Sequence, residues 1–213
     1  METINARKYS EQLYGELAKI GKCLSSSRRL ELLELLTQCE KTVENLAHET
    51  QMSIANTSKH LQVLYGANLV RRRKNGNFVV YSLASKNVAT LADSLKTVGE
   101  ERLAEIKELQ ADLFQAELTL TKAKALQANK NALFLDVRPQ DEYQAGHIQG
   151  ALNIPIAQLE EHFTVLPNDQ VIIVYCRGKM CSYAKVATKL LKKKGYKAYS
   201  LDYSYYDWVT DKK

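Results

Sequence analysis

The sequence is poor in the features that mark secreted and membrane-spanning chains. Four cysteines in 213 residues are too few for a disulfide scaffold, and thiols in a reducing compartment are more often catalytic, metal-binding or redox-sensing. The polar start METINARKYSEQ lacks the apolar run of a signal peptide. No later stretch approaches the roughly 18 apolar residues of a membrane helix. We therefore expect a cytoplasmic protein without a membrane partner.

The charge of the chain has no strong bias. Lys and Arg number 30 and Asp and Glu 24, which gives a formal charge of +6. This charge is compatible with a polyanionic partner but does not require one. With 45% hydrophobic and 25% charged residues, the composition is that of a globular protein, and the length allows two small domains.

The first part of the chain has a helical pattern with one interruption. Leucine-rich residues 29–36 predict a short helix with a broad apolar face, and further helices are predicted over 42–47 and from Ser53 to Tyr65. The side chains of the third helix expected to face inward are Ile54, Leu61 and Leu64. Residues 69–83 then predict a β-hairpin, because Asn75-Gly76 supplies the positive φ values of a tight turn.

Beyond the hairpin the helical pattern returns from Ser85 to about Leu126 without proline. Its apolar stripe consists of Val88, Leu91, Leu95 and Val98 and, after a slip near Gly99, of Leu103, Ile106, Leu109 and Leu113. So long a helix protrudes beyond a small domain, so we expect its stripe to pack on a second copy of the chain. The alternative is that the stripe packs on the core of its own chain.

The remainder of the chain has the pattern of an α/β domain. Residues 133–137 and 171–175 are continuous apolar runs, which are typical of strands buried on both faces. An amphipathic helix over 182–194 and a short strand over 197–201 complete a parallel arrangement. We predict a mixed, two-domain chain, with a mainly α domain over 1–120, a linker over 121–130 and an α/β domain over 131–213.

The helices and the hairpin predict a winged helix-turn-helix that places its second helix in the major groove of DNA. This helix carries small hydroxyl and amide side chains that can approach base edges and phosphates. The basic residues expected to neutralise phosphates at the hairpin are Arg71, Arg72, Arg73 and Lys74. The alternative is a solvated basic hairpin beside an ordinary helix pair.

Two segments in this domain, VENLA over 43–47 and SIANTSKHLQVLYGANLV over 53–70, resemble the ArsR family of bacterial dimeric repressors. The resemblance implies a homodimer built on the first and last helices and a palindromic double-stranded DNA operator. It implies that Ser53, Asn56, Thr57, Ser58, Lys59 and His60 face DNA. The family usually has Gly where this chain has Asn68, a tolerable change because Asn also adopts left-handed conformations.

The family's metal-sensing cysteine pair has no counterpart here, because residues 43–50 contain no cysteine and His48 is more simply a surface residue. We therefore expect no metal ion and no cofactor. Cys23 and Cys39 could form a thiol switch, but related persulfide sensors place their second cysteine on the long helix, which has none here. Buried, inert thiols are the alternative.

Cys176 follows the apolar strand over 171–175 and precedes a helix, so it lies where ligands bind in open parallel sheets. Loop amides and the helix N-terminus are expected to converge there, to lower the pKa of the thiol and to hold a persulfide anion. The loop consists of Cys176, Arg177, Gly178, Lys179, Met180, Cys181 and Ser182. A cysteine phosphatase would need Arg at position 182, where this chain has Ser.

Residues 131–209 resemble a single rhodanese (sulfurtransferase) domain. The motifs are LDVR over 135–138, EY over 142–143, GHI over 146–148, GA over 150–151, NIP over 153–155 and the cysteine loop. The resemblance implies that Cys176 accepts sulfane sulfur from a small donor and passes it to a thiol acceptor. It implies that Asp136 and Arg138 support the loop and that His147 is structural.

Two departures from the rhodanese pattern make thiosulfate a doubtful donor. Cys181 stands where thiosulfate-using members commonly have a basic residue, and residues 203–206 replace the glycine pair usual before the terminal Trp. Cys181 could instead resolve a persulfide on Cys176 into a disulfide or a polysulfide bridge.

The fold expected from both resemblances is a winged helix-turn-helix followed by a rhodanese-like parallel sheet. The function expected first is a transcriptional repressor whose Cys176 couples sulfur or redox state to DNA binding. An active sulfurtransferase that the first domain only dimerises or localises is the second hypothesis. A rhodanese fold retained as an inert interaction module is the third.

Overall fold

The structure is a computed structural model, and it describes residues 6–113 and 118–210. The chain divides into two compact units, Met1–Gly99 and Glu100–Lys213. Within the described ranges, no helix combines the length and the hydrophobicity that crossing a bilayer requires.

The first unit is a winged helix-turn-helix. Its elements are α1 (Ala6–Leu24), α2 (Ser27–Gln38), β1 (Lys41–Thr42), α3 (Val43–Glu49), α4 (Ile54–Gly66), β2 (Val70–Asn75), β3 (Phe78–Leu83) and α5 (Lys86–Arg102), whose residues from Glu100 onward belong to the second unit. The strands form an antiparallel sheet in the order β1-β3-β2. The predicted helix pair and hairpin are confirmed.

Local side-chain chemistry fixes the ends of these elements. Thr42 Oγ1 accepts a hydrogen bond from the Asn45 N–H at 3.1 Å and so caps α3. Gly76, with φ of +59°, is the first of the two residues between β2 and β3, so the turn lies one residue later than Asn-Gly predicts. Asn68 follows α4 with φ of +56°, the left-handed conformation expected of it.

A core of leucines joins the helices of the first unit, and its fully buried members include Leu32, Leu46, Leu61 and Leu64. The predicted inward position of Ile54 is wrong, because its side chain is 55% exposed at the start of α4. Ile54 lies seven residues before Leu61, on the same side of the helix, but in the first turn and outside the leucine core, so the helical period alone misplaces it.

The predicted uninterrupted helix from Ser85 is also wrong. α5 ends at Arg102 and a separate helix, α6 (Ala104–Leu113), begins after Leu103. The five-residue step from Val98 to Leu103 breaks the 3.6-residue period, so one straight helix cannot keep both halves of the stripe on one face. Residues 114–117 and the side chain of Leu113 lie outside the described part of the chain.

The second unit is an α/β domain. After α6 its elements are α7 (Leu120–Ala128), β4 (Ala132–Asp136), α8 (Gln140–Ala145), β5 (Leu152–Asn153), a 3₁₀ segment (Ile156–Val165), β6 (Val171–Tyr175), α9 (Tyr183–Lys193), β7 (Ala198–Leu201) and α10 (Tyr205–Thr210). The sheet is parallel throughout, in the order β5-β4-β6-β7. The predicted fold class is confirmed.

The segment predicted as a linker, 121–130, contains most of helix α7. Leu120 and Ala123 of this helix are buried in the core that also contains Phe134 of β4. This mainly polar segment thus packs on the sheet through its two buried apolar side chains. The small side chain of alanine needs little partner surface to become buried. The domain boundaries themselves stay predictions.

Candidate functional site

The first candidate surface is the N-terminal half of α4. Ser53 caps the helix and its Oγ accepts a hydrogen bond from the Asn56 N–H at 3.2 Å, so its hydroxyl is already engaged. Ser53, Asn56 and Lys59 are exposed, and Ser58 and His60 are half-buried. Ile54 adds an exposed methyl-rich surface, which is suited to the thymine methyl group in a major groove.

Thr57 does not belong to this surface. Its side chain is 0% exposed, and its Oγ1 donates a hydrogen bond to the Ser53 carbonyl at 3.0 Å. The implied DNA-facing position of Thr57 is therefore a correction, since a hydroxyl bonded within its own helix and covered by the core cannot reach a base.

The four basic residues of β2 are exposed, as predicted, but they are not equivalent. Arg73 forms an ion pair with Glu40, which offsets its charge. The Arg72 guanidinium lies 4.5 Å from the centre of the Tyr65 ring and so packs against α4. Arg71 and Lys74 stand on the same strand without an ion pair among the residues the structure describes, so they are the better candidates for contacts with phosphate.

The second candidate site is the loop between β6 and α9, which we call the cysteine loop (Cys176–Ser182). Gly178 has φ of +97°, a conformation that L side chains rarely adopt. The Cys181 N–H then donates to the Gly178 carbonyl at 3.0 Å and closes a tight turn. The turn folds the loop back, so Cys181 returns to the neighbourhood of Cys176.

Arg177 fixes this loop in place through a buried ion pair. Its Nη2 donates to Glu142 Oε1 at 2.6 Å and its Nε to Glu142 Oε2 at 2.9 Å, and both side chains are buried. Glu142 lies on α8, so the contact spans 35 residues. In the sequence Glu142 was only part of a family motif, and nothing local identified it as the partner of Arg177.

Asp136 and Arg138 form a second buried ion pair, with Arg138 Nη2 at 2.6 Å from Asp136 Oδ2. Arg138 also donates to the Gly146 carbonyl at 2.8 Å and lies over the ring of Tyr175. Burial raises the pKa of Tyr175, whose hydroxyl accepts the Ile148 N–H at 3.1 Å. These contacts brace the ends of β4 and β6, which makes Asp136 and Arg138 positioning residues.

The two thiols of the loop differ sharply in environment. Cys176 is 1% exposed, and its Sγ–H donates to the Cys181 carbonyl at 3.4 Å. Burial, with the neighbouring Cys181 thiol, raises the pKa of Cys176 well above 9.0. The neighbouring Cys176 side chain, the Arg177 charge and the N–H groups of Tyr183 and Arg177 lower the pKa of Cys181 to about 7.

The expected lowering of the Cys176 pKa is therefore a correction, because burial raises it, and the role of Cys176 in sulfur uptake stays a prediction. Backbone N–H groups act to lower the pKa of both thiols, with Ala184 acting on Cys176 and Tyr183 and Arg177 acting on Cys181. A thiol sealed from water loses the solvation of its anion, and one amide does not replace that solvation.

The other loop residues face outward. Lys179 Nζ pairs with Glu100 Oε2 at 2.9 Å, and Met180 Sδ accepts from Gln110 Nε2 at 3.6 Å, all within the second unit. Ser182 is the N-cap residue of α9 without a side-chain cap bond. The site roles of the whole loop stay predictions.

One neighbour of the loop has no signal in the sequence. Ser204 Oγ donates to Asp207 Oδ2 at 2.7 Å, and the Asp207 N–H donates back to Ser204 Oγ at 3.1 Å. A Cβ placed on Gly178 would lie 3.4 Å from the Ser204 backbone nitrogen. The start of α10 thus fills the position of the missing glycine pair and borders the cysteine loop.

Comparison with known proteins agrees with both halves of the structure. A family described as "Bacterial regulatory protein, arsR family" matches residues 26–72, and the "Rhodanese-like domain" family matches residues 119–211. The "HTH-type transcriptional regulator Rv0324" of Mycobacterium tuberculosis is 37% identical over 199 residues, covering 92% of this chain and 88% of the relative. The chain is an ArsR-family transcriptional regulator with a C-terminal rhodanese-like domain.

This ArsR-family regulator has further relatives for each part. The "Thiosulfate sulfurtransferase PspE" of Escherichia coli is 36% identical over 66 residues, covering 30% of this chain and 61% of the relative. A solution structure from Mycobacterium bovis, described as a homodimeric winged helix-turn-helix DNA-binding domain, has 36% identity and a TM-score of 0.44. It covers 48% of this chain and 94% of that one.

The Cys23–Cys39 switch has no support from the geometry of this regulator. Cys23 lies at the end of α1 and Cys39 follows α2, so the whole of α2 separates them. A helix of 12 residues spans about 18 Å, whereas bridged Cα atoms lie roughly 4–7 Å apart. Burial also raises the pKa of Cys23, as expected of an inert thiol.

The difference between the loop thiols predicts their reactivity. With a pKa of about 7, the thiolate fraction of Cys181 rises roughly eightfold to tenfold between pH 6 and pH 8. Iodoacetamide should therefore alkylate Cys181 in this range with a midpoint near pH 7, while Cys176 stays unmodified. Peptide mass spectrometry separates the two, since trypsin cleaves after Arg177 and Lys179, and Cys181→Ser is the control. Earlier labelling of Cys176 would contradict the assignment.

Proposed function

We propose that this regulator is a homodimeric repressor of a palindromic double-stranded operator, and that sulfane sulfur taken up by the cysteine loop controls its binding to DNA. The observation that carries the proposal is the pair of interacting thiols on one loop, beside a buried arginine, in a chain that also carries an exposed recognition helix. A sulfur donor of low molecular weight and a thiol acceptor complete the chemistry.

The DNA-binding half of the proposal rests on exposed polar and basic side chains. Asn56 and Lys59 on α4 can contact base edges and phosphates, and Arg71 and Lys74 on β2 are suited to the flanking backbone. Ser53, Ser58 and His60 complete the proposed DNA-facing set, without Thr57.

The dimer half of the proposal rests on two apolar helix faces that the first unit leaves exposed. On α1 the exposed apolar side chains are Tyr9, Leu13, Tyr14 and Leu17, and on α5 they are Leu91, Leu95 and Val98. Three- and four-residue spacing places each set on one face of its helix. Apolar stripes of this kind in a monomer indicate an interface, and the Mycobacterium bovis relative is described as homodimeric.

Catalytic sulfur transfer is the second candidate, because Cys181 is only half-buried and an acceptor thiol can reach it. The Escherichia coli relative is named a thiosulfate sulfurtransferase, but it matches only 30% of this chain. With excess donor and acceptor, continuous formation of sulfurated acceptor would indicate catalytic turnover. Formation that stops after one equivalent would indicate a single loading of the loop.

Negative charge introduced into the exposed apolar face of α1 should dissociate the dimer. The double variant Leu13→Glu and Leu17→Glu places two carboxylates in the proposed interface, where burial without a partner costs several kcal/mol. Light scattering after size exclusion should give the mass of one chain instead of two. Val165→Glu, at an exposed apolar residue of the second unit, is the control. A mass unchanged by the stripe variant would place the interface elsewhere.

Removal of the two available wing cations should weaken DNA binding regardless of sequence. Arg71→Ala with Lys74→Ala deletes up to two phosphate contacts, so the slope of log K against log salt should fall by roughly 1 to 2. Lys189→Ala with Lys193→Ala on α9 removes the same charge and should leave the slope unchanged. Fluorescence anisotropy on a duplex selected from a random pool measures both, and equal slopes in the two variants would exclude the hairpin as a phosphate contact.

The coupling of sulfur to DNA binding is tested with both loop thiols removed. Sodium tetrasulfide should change the Kd of the wild-type protein for the selected duplex at least about fivefold, the low end of typical couplings. The double variant Cys176→Ser with Cys181→Ser should bind the untreated duplex with the wild-type Kd and should not respond. A response retained in this variant would rule out the cysteine loop as the sensor.

A further inference from the structure

We infer that Ile54, at the start of α4, reads the 5-methyl group of one thymine in each half-site of the operator. The inference rests on the proposed function, since it requires that α4 binds in the major groove of DNA, and it adds the base that the regulator selects. The contact is apolar, so Ile54 distinguishes thymine from the other bases by its methyl group and not by a hydrogen bond.

Ile54 lies outside the core of the first unit. Helix α4 buries Thr57, Leu61 and Leu64, whereas the side chain of Ile54 is 55% exposed. Met52, two residues earlier, packs against the leucine core, and within the described ranges Ile54 is not among the side chains that do so. A large aliphatic side chain is thereby left exposed at the helix end whose residues contact base edges in a helix-turn-helix.

The polar side chains beside Ile54 are already engaged at the start of the helix. Ser53 Oγ accepts a hydrogen bond from the Asn56 N–H at 3.2 Å, and Asn56 Nδ2 donates to Met52 Sδ at 3.5 Å. These bonds restrict the positions in which the two polar side chains can meet a base edge. The methyl groups of Ile54 carry no such restriction, so an apolar contact needs no rearrangement of the first turn.

The major groove offers one apolar group to such a side chain, the methyl group at C5 of thymine. Contact between this group and Ile54 removes apolar surface of both from water. Burial of one methyl group corresponds to about a fourfold gain in affinity. The proposed homodimer makes the contact once in each half-site, so the two contacts together give about a 15-fold gain.

Exposed cations near Ile54 supply the affinity that an apolar contact cannot. Lys59 lies on the same helix, and Arg71 and Lys74 lie on β2, and all three are exposed. Contacts from such side chains to phosphate hold a protein on the duplex without reading its sequence. Selection of the base then requires a contact in the groove, and Ile54 provides one.

The test replaces thymine by deoxyuridine, which removes the 5-methyl group and keeps every hydrogen-bonding group of the base pair. Thymines of the duplex selected from a random pool are replaced in symmetry-related pairs, one pair at a time, and fluorescence anisotropy gives the Kd. For one pair the wild-type Kd should rise about 15-fold. In Ile54→Ala the same replacement should change the Kd less than about twofold, because the partner of the methyl group is gone.

Val63→Ala is the matched control. Val63 is also a β-branched aliphatic side chain of α4 and is 43% exposed, but it lies nine residues after Ile54 and so on the opposite side of the helix. This variant should keep the wild-type response to deoxyuridine. Both variants should keep the wild-type melting temperature, because both side chains are exposed. Loss of the deoxyuridine response in Val63→Ala would overturn the assignment to Ile54.

The measurement on the wild type needs no variant and tests the inference directly. A wild-type Kd that no deoxyuridine pair changes, or a wild-type response retained in Ile54→Ala, would overturn the reading of thymine by Ile54 and leave the repressor function intact. Failure of the random pool to yield any bound duplex would overturn the proposed function together with it.

Discussion

The ion pair between Arg177 and Glu142 is the constraint on which the cysteine loop depends. It is buried on both sides, and the guanidinium meets two carboxylate oxygens at 2.6 and 2.9 Å. Loss of one member of such a pair leaves a charge uncompensated in a medium that cannot solvate it, at a cost of about 3–5 kcal/mol. The loop is thereby fixed to α8 before any ligand arrives. The positive charge of Arg177 is consequently held in a fixed position beside the loop, and its side chain does not need to move toward an incoming anion.

The fixed charge of Arg177 contributes to the opposite pKa shifts of two cysteines that are only five residues apart. Gly178 turns the backbone through a left-handed conformation, and Cys176 lies before this turn, buried in the core. Burial raises the pKa of Cys176 and favours its protonated form, whereas the Cys176 side chain and the Arg177 charge lower the pKa of Cys181. The pKa values of the two thiols of the loop are therefore shifted in opposite directions.

Sequence patterns identified the elements well and the directions of side chains less well. Apolar runs located β6 at its observed limits, and Asn68 adopted the left-handed conformation expected of it, because both depend on local chemistry. Thr57 and Ile54 were misplaced because their exposure depends on the packing of neighbouring elements, which the helical period does not describe. The pairing of Arg177 with Glu142 spans 35 residues and needs the sheet order to be known first.

The thiol environment was misjudged for a related reason. A glycine, two basic residues and a helix start after a buried strand indicate that amides gather at the loop, but they do not indicate which sulfur the amides reach. That choice depends on the left-handed turn at Gly178 and on the hydrogen bonds of Ser204 and Asp207 at the loop's edge. Both become visible only when the chain is folded, so the loop could be located from the sequence and the environment of each thiol could not.

Coupling between sulfur and DNA requires a difference in free energy between the two states of the loop, not proximity. Lys179 of the loop pairs with Glu100, and both residues belong to the second unit. An exposed pair of this kind contributes at most about 1 kcal/mol, which corresponds to roughly a fivefold change in affinity. A larger response needs the loop itself to change shape when its thiols join. Because linkage is reciprocal, operator DNA must then shift the equilibrium of loop oxidation by the same factor that oxidation shifts the affinity for DNA.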